Sequence, residues 1–306
     1  MKKPYIELRT RNTFGDIIDN YFQFLKRNFQ AYTNLYLRYN ALSILLALGA
    51  SYLLVTGFMG LASRDFRFGM TEDTNNEFYF GIGVAVLLFT VFITSAINYS
   101  FSSAYISEYV NAKGDVKARN IWSSIKKKFW SIVVLILLGA VIYVVYLIIS
   151  TVAAIVPFLG YIFRFALSFL VSGLFGLTFM ALFVGRNQIG EAISDGWNFT
   201  FSNFLKVMLF ALVIGILNFL ITLVIISIPS YIIGFYIYFS AESEIEIFTS
   251  GFAKVLFTFG FAIYILAFIY SQALTQLAFG VLFYNLHEEK HNTFLQQKIE
   301  QIGVDE

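Results

Sequence analysis

Six stretches of this sequence are each long and apolar enough to cross a bilayer, and no other feature restricts what the chain can fold into as severely. At roughly 20 apolar residues per crossing, they lie near residues 40–62, 79–107, 131–156, 158–185, 205–228 and 253–285. A chain in hydrocarbon has to pair every backbone N–H and C=O internally, so spans of this composition fold as helices. The predicted fold class is all-α: a polytopic integral membrane protein with six transmembrane helices. Several runs exceed one crossing, which predicts tilt or protruding ends. The stretch 230–240, SYIIGFYIYFS, is apolar but too short to span, and reads as an interfacial or re-entrant segment.

Composition narrows the function classes. Of 306 residues, 58% are hydrophobic and 13% are charged, against about 25% charged in soluble domains, and the mean hydropathy is +0.72. That leaves too little polar surface for a soluble enzyme, a nucleic-acid-binding protein or a disordered tail protein. Cysteine is absent, which excludes disulfides, thiolate nucleophiles and cysteine-ligated metal or iron–sulfur sites. Histidine occurs only at His287 and His291. The basic N-terminus, MKKPYIELRTRN, is not followed by the apolar stretch of a cleavable signal peptide, so the first span is expected to serve as the insertion signal.

The distribution of Lys and Arg sets an orientation. Residues 1–39 carry Lys2, Lys3, Arg9, Arg11, Lys26, Arg27 and Arg38, and the 108–130 connection carries Lys113, Lys117, Arg119, Lys126, Lys127 and Lys128. The 63–77 loop has only Arg64 and Arg67 beside Glu72, Asp73 and Glu77, and the 241–252 loop carries Glu242, Glu244 and Glu246. Cationic loops stay on the cytoplasmic side, so both termini are expected there. An even number of spans requires the same outcome independently.

A repeat runs through the chain. Three segments, each ahead of an odd-numbered span, place one aromatic residue seven positions before a Phe: Phe22/Phe29, Trp122/Phe129 and Trp197/Phe204. The first and third copies align further, Phe14-Gly15-Asp16-Ile17-Ile18 on Ile189-Gly190-Glu191-Ala192-Ile193, and Asn28 on Asn203. Seven residues are two helical turns, so each pair shares a helix face. The acidic residue near each start suits a helix N-terminus. Each segment reads as an amphipathic helix on the cytoplasmic surface with its aromatics in the interface. In the most basic copy, Lys126, Lys127 and Lys128 are expected to face anionic lipid. A second repeat, Pro157-Phe-Leu-Gly-Tyr-Ile and Pro229-Ser-Tyr-Ile-Ile-Gly, follows the third and fifth spans, where Pro is expected to end or kink the helix. The predicted organisation is a single membrane domain over 1–306. It contains three hairpin repeats near 13–112, 113–187 and 188–286, each preceded by a cytoplasmic amphipathic helix, and a cytoplasmic tail over 287–306.

These features resemble a family. The Pro157…Gly160-Tyr161 turn, Arg164 in the next span, and the run Glu191-Ala192-Ile193…Trp197…Asn203-Phe204 are similar to bacterial multipass proteins grouped with the membrane domain of glycerophosphoryl diester phosphodiesterase and its YciC-like relatives. The whole chain also resembles uncharacterised inner-membrane proteins of Bacteroidetes, with a surface helix at the start and a tail closing on Ile299-Glu300-Gln301-Ile302-Gly303. In the named family the phosphodiesterase chemistry belongs to a separate soluble domain. The resemblance therefore implies a fold and a bacterial inner-membrane location, without that activity.

Two sets of residues are candidates for chemistry. His287-Glu288-Glu289-Lys290-His291 spells H-E-x-x-H, which on a helix offers two imidazoles and a general base to zinc. A catalytic site needs a third ligand in a dry pocket, and only Glu300, Asp305 and Glu306 follow, in a polar tail. The motif reads as accidental, at the solvated end of the last helix, and no metal or other cofactor is expected. Polar residues inside spans are costly unless they face the bundle interior: Asn98, Arg164, Asn218, Gln272 and Gln276. They read as helix–helix bonds or, for Arg164, as a snorkelling cation, with lipid or substrate contact as the functional alternative. The expected function is that of a non-enzymatic inner-membrane scaffold, or subunit of an assembly, organising lipid or partner proteins. The alternative is a transporter or lipid-handling protein with a cavity between the hairpins. The expected partners are membrane lipids and proteins of a membrane complex, not nucleic acid.

Overall fold

The computed structural model describes residues 5–63, 74–185, 188–243 and 245–302; loop residues 64–73 and Glu244, which enter the charge argument, and tail residues 303–306 lie outside the described residues. The described residues contain no strand. The helices are α1 (Phe14–Tyr39), α2 (Ala41–Ala62), α3 (Thr74–Asn111), α4 (Ala118–Lys127), α5 (Phe129–Ala153), α6 (Leu159–Phe183), α7 (Ile189–Ser202), α8 (Phe204–Glu242), α9 (Gly251–His291) and α10 (Thr293–Ile302), with a 3-10 turn at Ile247–Thr249. Six of them, α2, α3, α5, α6, α8 and α9, are long and apolar enough to cross a membrane, so the chain is a multipass integral membrane protein.

The longest helices outrun a bilayer. α3, α8 and α9 have 38, 39 and 41 residues. At 1.5 Å per residue each is about 60 Å long, roughly twice the ~30 Å of hydrocarbon, so their ends stand well outside it.

The two prolines behave differently. The stretch 230–240 is not a separate interfacial or re-entrant segment, because α8 runs through Pro229 to Glu242. The proline removes one backbone donor, but the apolar run continues beyond it, and helix is the conformation that keeps the remaining backbone groups paired. Pro157 does lie at an interruption: α5 ends at Ala153, and the Leu159 N–H donates to the Pro157 carbonyl at 2.7 Å across Phe158, held at φ 63, ψ −61. This is a γ-turn, a strained conformation for a residue with a side chain. Gly160 lies so close to the Ala153 carbonyl that no β-carbon fits there.

Single residues join three helix pairs: Asn40 (φ −95, ψ 10) between α1 and α2, Lys128 (φ −105, ψ 12) between α4 and α5, and Asn203 (φ −122, ψ 35) between α7 and α8. Each leaves helical geometry for one residue near the bridge region, redirecting the chain without a loop.

The residues form two compact units. The first comprises Met1–Leu37, Asn98–Ile216 and Ala273–Glu306. Its core is made by residues 100–110 of α3, 176–183 of α6 and 273–286 of α9, nearly all buried. Small residues let these helices approach closely. A β-carbon on Gly280 would lie 2.7 Å from Ile106 Cγ2, and one on Gly176 would lie 2.8 Å from Phe279 Cβ. α1 covers this core with Ile17, Tyr21, Phe24, Tyr32 and Tyr36. The Tyr32 hydroxyl and Ser102 Oγ lie 2.8 Å apart, and both reach the Ala273 carbonyl, at 3.3 and 3.1 Å. Phe24 stands edge-on to Tyr109 with ring centres 4.8 Å apart. The N-terminal segment docks here as well: Leu8 is buried, the Ile6 N–H donates to Tyr109 Oη at 3.0 Å, and Asn285 Nδ2 donates to the Thr10 carbonyl at 2.9 Å.

The second unit comprises Arg38–Ile97 and Leu217–Gln272. Glycines set its α2–α3 crossing: a β-carbon on Gly57 would meet Asn76 O and Phe80 Cα at 2.8 Å, and one on Gly83 would meet Leu54 N at 2.8 Å.

Candidate functional site

The three helices named by the repeat, α1, α4 and α7, all carry residues of the first unit; α1 and α7 each bury several side chains, whereas α4 buries Ile121 alone of its ten residues. Ile17, Tyr21 and Phe24 of α1 are buried, as are the aligned Ala192, Gly196 and Phe199 of α7 and Ile121 of α4. The six repeat aromatics, Phe22, Phe29, Trp122, Phe129, Trp197 and Phe204, are between 40% and 54% exposed. Local chemistry accounts for the helix starts. Thr13 and Asp16 exchange hydrogen bonds, Thr13 N to Asp16 Oδ2 at 3.1 Å and Asp16 N to Thr13 Oγ1 at 3.4 Å. Gln188 and Glu191 form the equivalent capping box on α7. Both boxes satisfy N–H groups that a helix start leaves open.

The aligned asparagines also match. Asn28 Nδ2 donates to the Phe24 carbonyl at 2.9 Å, and Asn203 Nδ2 to the Phe199 carbonyl at 3.2 Å. The backbone differs between them: α1 continues through Asn28 to Tyr39, whereas α7 breaks at Asn203.

The basic trio divides. Lys126 and Lys127 are exposed, and the Lys126 ammonium lies 5.1 Å over the Trp122 ring. Lys128 does not join them towards lipid. It is half-buried, donates to the Leu182 carbonyl at the end of α6, and lies 5.8 Å over the Phe183 ring. Burial pushes its ammonium below the ordinary lysine pKa. A cation at a helix C-terminus offsets the negative end of the helix dipole and uses one of its open carbonyls.

The polar residues of the spans differ in their surroundings. Arg164 is exposed near the start of α6. Gln276 is fully buried in the first unit, donating to Ser103 Oγ at 2.8 Å and to the Gly176 carbonyl at 3.0 Å. Asn98 is buried in the first unit. In the second unit Gln272 Nε2 donates to Ser95 Oγ at 3.0 Å, and Asn218 Nδ2 to the Ser271 carbonyl at 3.3 Å. The bonded residues tie neighbouring helices together.

The H-E-x-x-H segment sits at the end of α9. The His287 and His291 rings are 4.7 Å apart, but Glu288 is not at a solvated end: it is 3% exposed. Its carboxylate accepts the Phe294 N–H at 3.0 Å and the Thr293 hydroxyl at 3.1 Å, which caps α10. Among the described residues no three His, Asp or Glu side chains are grouped as a metal ion would require. The neighbouring Glu289 pairs with Lys206, 2.5 Å between Oε1 and Nζ, and Lys206 also donates to Asn285 Oδ1 at 2.8 Å.

Two clefts open among the described residues. In the second unit an apolar cleft of about 500 Å³ is lined by residues including Phe58, Pro229, Gly260 and Tyr264. In the first unit a polar cleft of about 290 Å³ lies among Asn198, Phe199, Ser202, Asn203, Leu286, Glu289 and Lys290. Neither is lined by Asn98, Arg164, Asn218, Gln272 or Gln276. The polar cleft was not anticipated from the sequence. Its one-dimensional trace is Asn198 and Ser202, four residues apart and therefore neighbours on one flank of α7. No family model, curated protein or solved structure matches the chain.

Proposed function

We propose that the chain is a non-enzymatic scaffold of the bacterial inner membrane, or a subunit of a membrane assembly, with both termini in the cytoplasm. In this reading α1, α4 and α7 lie in the headgroup region and organise anionic lipid or partner proteins. The observation that carries it is that each of these helices combines buried side chains with exposed aromatics, Phe22 and Phe29 on α1, Trp122 on α4 and Trp197 on α7, while the paired Phe129 and Phe204 open α5 and α8 beyond a one-residue break rather than sharing a face with their partners. Lys126, over the Trp122 ring, and the exposed Lys127 supply charge where anionic headgroups would lie.

The test is native mass spectrometry of the protein released gently from its own membrane, wild type against Lys126→Glu/Lys127→Glu. The charge reversals are expected to cut severalfold the retention of anionic lipid or of a stoichiometric second protein. Unchanged retention refutes the reading. The second reading, lipid handling, is favoured by the apolar cleft of about 500 Å³, whose lining suits an acyl chain.

A further inference from the structure

The polar cleft combines opposite charges within one small recess. Lys290 is held 5.2 Å over the Phe199 ring that forms part of the wall. Asn198, Ser202 and Asn203 add amide and hydroxyl groups from the α7–α8 corner. Glu289 brings a carboxylate already tied to Lys206, and Asp195 lies one turn earlier on α7. A purely anionic ligand would meet this carboxylate at close range, whereas a ligand carrying both charges matches each side. Beside the cleft, α7 and the start of α8 expose Trp197, Phe201, Phe204 and Leu205, and the Trp197 and Phe201 rings are 4.2 Å apart. Apolar chains leaving the cleft would meet this patch.

We propose that this cleft seats the headgroup of a zwitterionic aminophospholipid, with the phosphate facing Lys290 and the Asn198, Ser202 and Asn203 side chains and the ammonium facing Glu289. This deepens the surface-helix reading of α7 and rests on it. A primary ammonium donates hydrogen bonds to a carboxylate and a quaternary one does not, so the site selects ethanolamine over choline. Ser202 is exposed, so a larger side chain there fills the cleft without entering the core.

The experiment places the full chain in nanodiscs of equal phosphatidylethanolamine, phosphatidylcholine and phosphatidylglycerol, and reads retained lipid by native mass spectrometry. One ethanolamine lipid is expected. Lys290→Gln and Ser202→Phe should each cut its retention at least fivefold, while Lys117→Gln, at an exposed lysine ahead of α4, leaves it unchanged. Equal retention in wild type and in both cleft variants, or equal retention of all three lipids, overturns the proposal. Displacement by glycerophosphoethanolamine at equal concentration would assign the cleft to a soluble phosphodiester and overturn the lipid source. Acyl-brominated lipid in a Trp122→Phe/Trp130→Phe background reports on Trp197 alone. Quenching without headgroup retention refutes the cleft while α7 keeps its surface placement; absence of quenching refutes both.

Discussion

Replacing Gly196 by alanine tests the packing of α7 most directly. A β-carbon at Gly196 would stand 2.7 Å from Thr178 Cα and 2.8 Å from Thr178 Cβ on α6. Carbon pairs rest at about 3.5–4.0 Å, so α7 has to withdraw by about 1 Å. Thr178 cannot escape by changing rotamer, because its backbone is part of the clash. Overpacking of this kind costs about 1–3 kcal/mol, offset by the ~1 kcal/mol that alanine gains over glycine inside a helix. Gly190 is the internal control: it belongs to the same helix, and a β-carbon there meets nothing within 4 Å. Gly190→Ala should therefore be neutral or stabilising by up to about 1 kcal/mol, and the two substitutions should differ by about 1–3 kcal/mol. Reversible unfolding in mixed micelles, titrated with dodecyl sulfate and followed by tryptophan emission, measures the difference. Equal midpoints for the two alanine variants would refute the close approach of α7 to α6.

Four further outcomes are expected. Gln276→Ala should destabilise the protein by about 2–4 kcal/mol in the same assay, from two helix–helix hydrogen bonds of roughly 0.6 kcal/mol each plus a cavity. Glu288→Ala should remove the cap of α10 and raise hydrogen exchange at Thr293–Ile302 at least fivefold, with exchange in residues 273–286 unchanged. Phe158→Gly should stabilise the protein by about 1 kcal/mol, because glycine tolerates positive φ and the phenyl ring it removes is exposed; a loss of stability would refute strain at that turn. Arg164→Gln should shift stability by no more than about 0.5 kcal/mol, as an exposed side chain does, and a larger loss in the unfolding midpoint would count against its peripheral place.

The spans were legible because hydrocarbon leaves the backbone one economical solution, and apolar length reports it directly. Their ends were less so: α8 and α9 extend past the apolar cores near 205–228 and 253–285, since a helix already formed continues into polar sequence until something stops it. At Asn40, Lys128 and Asn203 one residue does so, and nothing in those residue types announces it. The capping boxes at Thr13/Asp16 and Gln188/Glu191 announce themselves in the sequence chiefly through their acidic members. Lys128 looked like its two neighbours because sequence records charge and not the direction of a side chain. Glu288 looks like part of a metal motif because its acceptor role depends on the break at Asn292, which brings the Thr293 hydroxyl and the Phe294 N–H to its carboxylate. The buried tyrosine face of α1 and the polar cleft depend on which helix packs beside which, and no local pattern encodes that choice.

The turn at Pro157 also bears on how the chain enters the membrane. Between Lys128 and Arg164 the sequence contains no Asp, Glu, Lys or Arg, and the connection Ala154-Ile155-Val156-Pro157-Phe158 is apolar throughout. Each charge at mid-membrane adds about 2.5–3.5 kcal/mol on an insertion scale, and here there is none to carry. α5 and α6 can thus partition from the translocon together as one hairpin, with no polar cargo to be driven across. A lysine in place of Ile155 restores that barrier, and slower insertion of the full chain in a cell-free translation assay would reveal it.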